Sequence, residues 1–195
     1  MSFWTNFFES IGRKNLKLLN EKIRGEFIQG GFGVKDKITL LHKNTLITID
    51  TFKRLRGKKL VLFYRIRYPF KSINGLGFSI STENAFTHAA NVFGMEDIKI
   101  GQEKFDNEFY LKSNDEERFL EFIKSETLQK QYLESLKKLS YSAFCIEVKG
   151  GLEYSVYNET NHSDIETILE YFNLCKITLD RLIEIGEAED ITPNI

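Results

Sequence analysis

Cysteine is almost missing from this 195-residue chain: only Cys145 and Cys175 occur, with no CxxC spacing between them. Nothing therefore supports a disulfide framework, a thiolate metal site or a catalytic thiol. Cys145 falls in an expected strand and Cys175 on the apolar side of an expected helix, so two buried free thiols are expected. Histidine is nearly as scarce. His42, His88 and His162 are scattered and have no metal-binding neighbour at i+3 or i+4, so no metal site is expected. No apolar run approaches the roughly 18 to 20 residues of a membrane span, and the first residues lack the basic, apolar, small order of a signal peptide. The expected compartment is the cytoplasm, with a peripheral position on a membrane left open. No GxSxG elbow and no cysteine–histidine signature appears. The glycines at 30, 31 and 33 are not followed by Gly-Lys-Ser/Thr, so they mark a bulge or tight turn and not a phosphate loop. Neither catalytic residues nor a cofactor can be named.

What is present is an ordinary soluble composition, 42% hydrophobic and 28% charged, with 17 phenylalanines for an aromatic core. The net charge of -1 conceals a strong asymmetry. From Thr51 to Thr82 the chain carries Lys53, Arg54, Arg56, Lys58, Lys59, Arg65, Arg67 and Lys71 with no acid, a local charge of +8. From Glu159 to Ile195 nine acids face Lys176 and Arg181, a local charge of -7. Three readings compete. The basic run could bind the phosphates of a lipid surface or nucleic acid, with Phe63 and Tyr64 for stacking or insertion. It could meet the acidic segment within the fold or across a dimer. Or it could be a solvated edge kept from aggregating by its lysines. No RNP, zinc-finger or helix-turn-helix pattern supports nucleic acid.

Trp4, Phe7, Phe8 and Ile11 recur at helical spacing, and Leu16, Leu19 and Ile23 form a second face turned by about a quarter circle at ~100° per residue. Gly12 between them implies a kink or two different neighbours. The polar side of this helix is basic, so the aromatic stripe suits an anionic membrane surface or a partner protein. After Glu26 short strands follow. Ile38 with Leu40 and Ile47 with Ile49 alternate around a turn at Lys43 and Asn44. Leu60, Leu62, Tyr64, Ile66 and Tyr68 alternate along a long strand, with Lys59, Val61, Phe63, Arg65 and Arg67 on the other face. Asp50 stands out in an apolar, threonine-rich strand: facing inward, it needs a hydrogen-bonding partner. Phe78 and Ile80 continue the sheet, and Phe86, Ala89, Ala90 and Phe93 suggest a short helix. The stretch 143–158 reads as a hairpin with a three-residue loop at Gly150–Leu152. Ser163 with Glu166 caps a long helix through Ile165, Ile168, Leu169, Phe172, Cys175, Leu179, Leu182 and Ile183, ending at Gly186. The acidic tail from Glu187 is expected to fray.

The clearest stretch runs from Ile98 to Ile123, IKIGQEKFDNEFYLKSNDEERFLEFI. Strand alternation at Ile98 and Ile100, a turn with Asp106 bonded to nearby backbone, a second strand through Phe109 and Leu111, and a capping box at Ser113/Glu116 or Asn114/Glu117 predict strand, turn, strand and helix. A further helix with Leu128, Tyr132, Leu133 and Leu136 on one side follows it. The phrase GQEKFDNEFYLKSNDEE, preceded by NVFGMEDIKI, resembles a motif of a bacterial domain of unknown function found beside LemA-type membrane proteins. RGEFIQGGF, NTLITIDTF and YRIRYPF extend the resemblance over about residues 24–123. It implies no activity and no site residues. Some members carry transmembrane helices before the domain, which this chain departs from.

The expectation is an α+β fold: a largely antiparallel sheet of about seven to nine strands, an N-terminal helical segment over 1–25, a domain over 26–186 with short central helices and a long C-terminal covering helix, and a tail over 187–195. Its function reads as a non-enzymatic binding module, peripheral to a membrane. The candidate anion or partner contacts are Lys53, Arg54, Arg56, Lys58, Lys59, Arg65 and Arg67; the candidate membrane or partner helix carries Trp4, Phe7, Phe8 and Ile11. The alternatives are a phosphoester or nucleotide hydrolase using the same basic patch, and a structural homodimer without ligand. The expected partner is an unidentified protein, a second copy or an anionic membrane surface.

Overall fold

In a computed structural model the described residues are 3–31, 34–56, 58–82, 96–138, 145–148 and 165–189, with backbone alone for 3–11, 54, 56, 59, 61, 96, 97, 138, 145 and 147. The fold is α+β, and its strand pairs are all antiparallel. The described strands number ten and divide into three sheets. The first is a meander of β1 (Glu26–Ile28), β2 (Lys37–His42), β3 (Thr45–Arg56) and β4 (Lys59–Arg67). A second sheet has the order β7-β8-β6-β9, from β6 (Phe78–Ser81), β7 (Glu96–Ile98), β8 (Tyr110–Ser113) and β9 (Cys145–Val148). The strand holding Phe78 and Ile80 therefore belongs to a different sheet from the basic hairpin. A small third sheet pairs β5 (Lys71–Ser72) with β10 (Ala188–Glu189).

Helix α1 (Phe3–Ile23) runs unbroken through Gly12 and lies on the first sheet. A Cβ at Gly12 would stand 3.4 Å from Thr51 Oγ1 and 3.6 Å from Leu62 Cδ2, so the glycine marks where helix and sheet approach closely. Leu16 and Leu19 are fully buried, and the Asn15 amide donates to the buried Tyr64 hydroxyl at 2.9 Å. The C-terminal half of this helix is thus part of the core. The loop after β1 is tight at Gly30, where a Cβ would lie 2.1 Å from the Val34 carbonyl oxygen. Asp36 holds that loop by accepting from the Gly30 N–H at 2.8 Å and from Arg13 Nε at 2.8 Å. The turn at Lys43, with φ of 53°, joins β2 and β3 where expected.

Helix α5 (Ile165–Glu184) carries buried Ile168, Phe172, Cys175, Leu179 and Leu182, as its spacing predicts. Tyr171, Leu174 and Thr178 are buried too, because α4 (Glu126–Lys138) packs on a second face. Thr178 gives its hydroxyl proton to the Leu174 carbonyl at 2.7 Å, so Tyr132 of α4 donates to Thr178 at 2.6 Å. Burial pushes the Cys175 thiol far above its ordinary pKa, leaving an inert core residue.

Three expectations are corrected. The turn after Ile98 contains a short helix, α2 (Glu103–Glu108), whose Phe105 packs on Phe109 and Tyr132 with ring centroids 4.6 and 6.4 Å away. Asp106 does bond nearby backbone, accepting from the Ile100 and Gly101 N–H groups at 3.0 and 2.9 Å. The N-cap of α3 (Glu116–Ile123) is Asp115, which accepts from the Arg118 N–H at 3.1 Å. Asn114 is occupied elsewhere, binding the Gly77 N–H and the Gly75 carbonyl, each at 2.9 Å. Finally, the chain does not fray at Glu187: Glu187 is buried, binds Arg118 at 3.1 Å and leads into β10. The expected helix at Phe86–Phe93, the three-residue loop at Gly150–Leu152, the Ser163 cap, His88, His162 and the tail beyond Glu189 lie outside the described residues. Within the expected hairpin, β9 places Ile146 and Val148 in the core on one face as predicted.

Candidate functional site

Strands β3 and β4 form the longest hairpin, in register from Thr48↔Arg67 to Arg56↔Lys59. β2 pairs with β3 only as far as Asp50, so the last six residues of β3 extend beyond the sheet as a two-stranded ribbon. Alternation then assigns two faces. Ile49, Thr51, Lys53 and Leu55 share one with Ile66, Tyr64, Leu62 and Leu60, and this is the face that α1 covers at Gly12. The other carries Asp50, Phe52, Arg54 and Arg56 with Arg65, Phe63, Val61 and Lys59.

On that second face the two arginines at the base of the ribbon are engaged. Asp50, 4% exposed, accepts from Arg65 Nε at 3.0 Å, from Arg65 Nη2 at 2.7 Å and from Arg67 Nη2 at 2.8 Å. The inward-facing acid thus has the partners it needs, and one buried carboxylate offsets half of the charge of the pair. Beside them Phe52 stacks on Phe63, with centroids 5.3 Å apart and planes at 20°, and the Arg65 guanidinium lies over the Phe52 ring at 5.5 Å. Phe63 is 3% exposed and is a packing residue.

Toward the tip the sequence carries Lys53, Arg54, Arg56, Lys58 and Lys59, in a stretch without an acid. Among them is an apolar pair. Leu55 and Leu60 are cross-strand partners and are 70% and 37% exposed. The first turns of α1, which bear Trp4, Phe7, Phe8 and Ile11, continue past Gly12 toward this same end. The eight residues from Gly12 back to Trp4 cover about 12 Å at 1.5 Å per residue, and the three from Leu62 to Lys59 about 10 Å. The backbone of the first turns of α1 therefore runs toward the end of the first sheet at which the hairpin tip lies.

The acidic C-terminal segment meets basic residues, but mostly others. Glu166 pairs with Lys22 at 2.5 Å, Asp180 with His42 at 2.9 Å and Lys43 at 2.8 Å, and Glu189 with Lys71 at 2.7 Å. Burial raises the Asp180 pKa, but hydrogen bonds from Lys43 and His42 outweigh it and hold the carboxyl below its ordinary range. Of the basic run, Lys71 alone appears in these four contacts. The sequence named the cations of the hairpin and missed Leu55 and Leu60 as an exposed pair, although the register that pairs them follows from a tight turn between Arg56 and Lys59.

Among the described residues no group of three or more histidine, cysteine or carboxylate side chains could hold a metal ion, and no helix is long and apolar enough to cross a membrane. Comparison with known proteins finds no matching family model, no matching curated protein and no matching solved structure.

Proposed function

We propose that this chain is a non-enzymatic module that docks peripherally on an anionic membrane surface through the β3–β4 hairpin tip, with the first turns of α1 beside it. The observation that carries the reading is the exposed Leu55–Leu60 pair set among the hairpin cations. Leu55 and, to a smaller extent, Leu60 leave apolar surface in water at the end of the ribbon, and a bilayer interface takes the apolar pair and the cations together. Magnitudes indicate which part dominates. Five basic residues near an anionic leaflet contribute about 1 kcal/mol each. Full burial of a leucine gives about 1.5–3 kcal/mol, less for Leu60, which is already partly covered. Binding should therefore depend on lipid charge first and on insertion second. The relationship to LemA-associated domains belongs to the same proposal. A phosphoester hydrolase would use Arg65 and Arg67 for substrate phosphate, but Asp50 already engages both guanidiniums, so the membrane reading is preferred.

Vesicle co-sedimentation tests it. The intact chain is expected to bind phosphatidylserine-containing vesicles and not neutral ones, and to be released by salt as screening shortens the Debye length to about 3 Å at 1 M. Leu55→Asp with Leu60→Asp should weaken binding, and Lys58→Glu should weaken it further. Removing residues 1–25 is unsuitable as a control, because Leu16 and Leu19 are core. Equal binding of all variants, or none by the intact chain, would sink the proposal.

A further inference from the structure

The groove between α4 and α5 is a concave feature that the hairpin does not use. It holds about 250 Å³, with Glu134 and Glu170 on its walls, Gln131 and Asn173 beside them, and Leu174 and Ile177 as its apolar part. That volume falls short of the roughly 300–1,000 Å³ of small-molecule pockets and matches a single long side chain. Two carboxylates in one groove with Leu174 and Ile177 suit a lysine or arginine, which lays its methylene stem on hydrocarbon and keeps its charged head at the rim. The Ser135 hydroxyl donates to Glu170 at 2.5 Å and fixes that carboxylate. Glu134 has Lys130 at 3.9 Å, an exposed pair that contributes little.

The chain itself carries a cation of this kind. Lys58 is exposed at the turn of the hairpin, with Leu55 and Leu60 behind it. It cannot reach the groove of its own molecule. α5 is held at the opposite end of the first sheet, where Asp180 binds His42 and Lys43, and β3 spans about 40 Å between the two ends.

We propose that the α4–α5 groove receives Lys58 of a second copy, head to tail, so that the hairpin tip has two mutually exclusive partners, an acidic protein groove and an anionic bilayer. The exclusion rests on the membrane reading of the tip; the self-association does not. Such a contact joins different surfaces of the two copies and so builds rings or open chains, not a closed twofold dimer.

Sedimentation velocity of the full 22.8 kDa chain reads it out. At low salt the mean mass should rise with protein concentration, and at about 0.5 M salt it should return to that of one chain. Lys58→Glu and Glu134→Lys should each weaken association by about tenfold or more, and the two together in one chain should restore it, because the reversed charges meet again. Both positions are solvent-exposed, so the variants should fold. A wild-type chain that stays monomeric, single variants that associate like wild type, or a double variant that is not rescued overturns the proposal. Vesicle binding separates the two ideas: Glu134→Lys should bind anionic vesicles at protein concentrations where wild type is self-associated. Charge-swap rescue without vesicle binding by any variant leaves the self-association standing and removes the membrane reading alone.

Discussion

Asp50 shows how one residue decides what a charged face can do. Its carboxylate is buried and takes three hydrogen bonds from two guanidiniums whose side chains are 26% and 30% exposed. Asp50→Ala leaves Arg65 and Arg67 side by side with no anion between them. Removing one member of a buried ion pair costs about 3–5 kcal/mol, and the solvent access of the arginines puts this case near about 3. Urea unfolding of the variant should show that loss as a lower midpoint at an unchanged slope. A change within about 0.5 kcal/mol, the scale of an ordinary surface substitution, would mean that water solvates the arginines equally well. The sequence marked Asp50 as needing a partner only if it faced inward, and left a solvent-facing position open. Which partner depended on register, and register depends on where the chain turns between Arg56 and Lys59. Counting charge along the run therefore missed this pairing, since Arg65 and Arg67 are matched by an acid one residue before the run begins.

At the scale of elements, α1 and the first sheet are coupled through the space that Gly12 leaves. The amphipathic pattern of α1 was legible, including two faces of different direction. The helix is continuous through Gly12, which shares a face with Leu16 and Leu19: those two enter the core and Gly12 meets Thr51 and Leu62, so this face lies on the first sheet, while the side chains of Trp4, Phe7, Phe8 and Ile11 lie outside the described residues. A single methyl fits there at ordinary contact distance, 3.4 Å from the nearest atom. Gly12→Ala should therefore stabilise the protein by about 0.5–1 kcal/mol through helix propensity, whereas Gly12→Val should destabilise it by lifting the helix from the sheet. Thermal unfolding of the two variants decides the matter; a destabilising alanine would mean that the sheet cannot yield even a few tenths of an ångström. Elements without periodicity were not legible. α2 spans six residues with one buried side chain, and β10 is two residues long; each is fixed by partners distant in sequence. Phe105 relies on Tyr132, and Ala188 on Ser72, contacts that no local pattern encodes.

At the scale of the whole molecule, the first sheet and the C-terminal helix are tied at one end by Asp180, which sits between His42 and Lys43 of the β2–β3 turn. Arg181, next to it, turns the other way and donates to the Phe122 and Glu121 carbonyls at 3.1 and 2.8 Å, closing the end of α3. Two adjacent residues of α5 thus hold the first sheet and the central helices in one body, and the negative charge of the segment is structural here. The folded-state pKa of Asp180 is depressed, because the hydrogen bonds from Lys43 and His42 exceed the opposing effect of burial. The unfolded chain, with the carboxyl near its ordinary value of about 3.9, therefore takes up the proton first as pH falls. Its contribution to stability is complete above that ordinary value and disappears as pH falls through the folded one. Asp180→Asn removes the contribution at every pH. The stability difference between wild type and variant should shrink as pH falls below the ordinary carboxylate range, as measured by urea titrations at each pH. A difference that held constant down to pH 2 would mean that the carboxylate charge is not what sets it. Because 40% of the side chain is exposed, salt should reduce the neutral-pH difference as well, and a salt-insensitive difference would place the origin of the coupling in packing of the turn instead of charge.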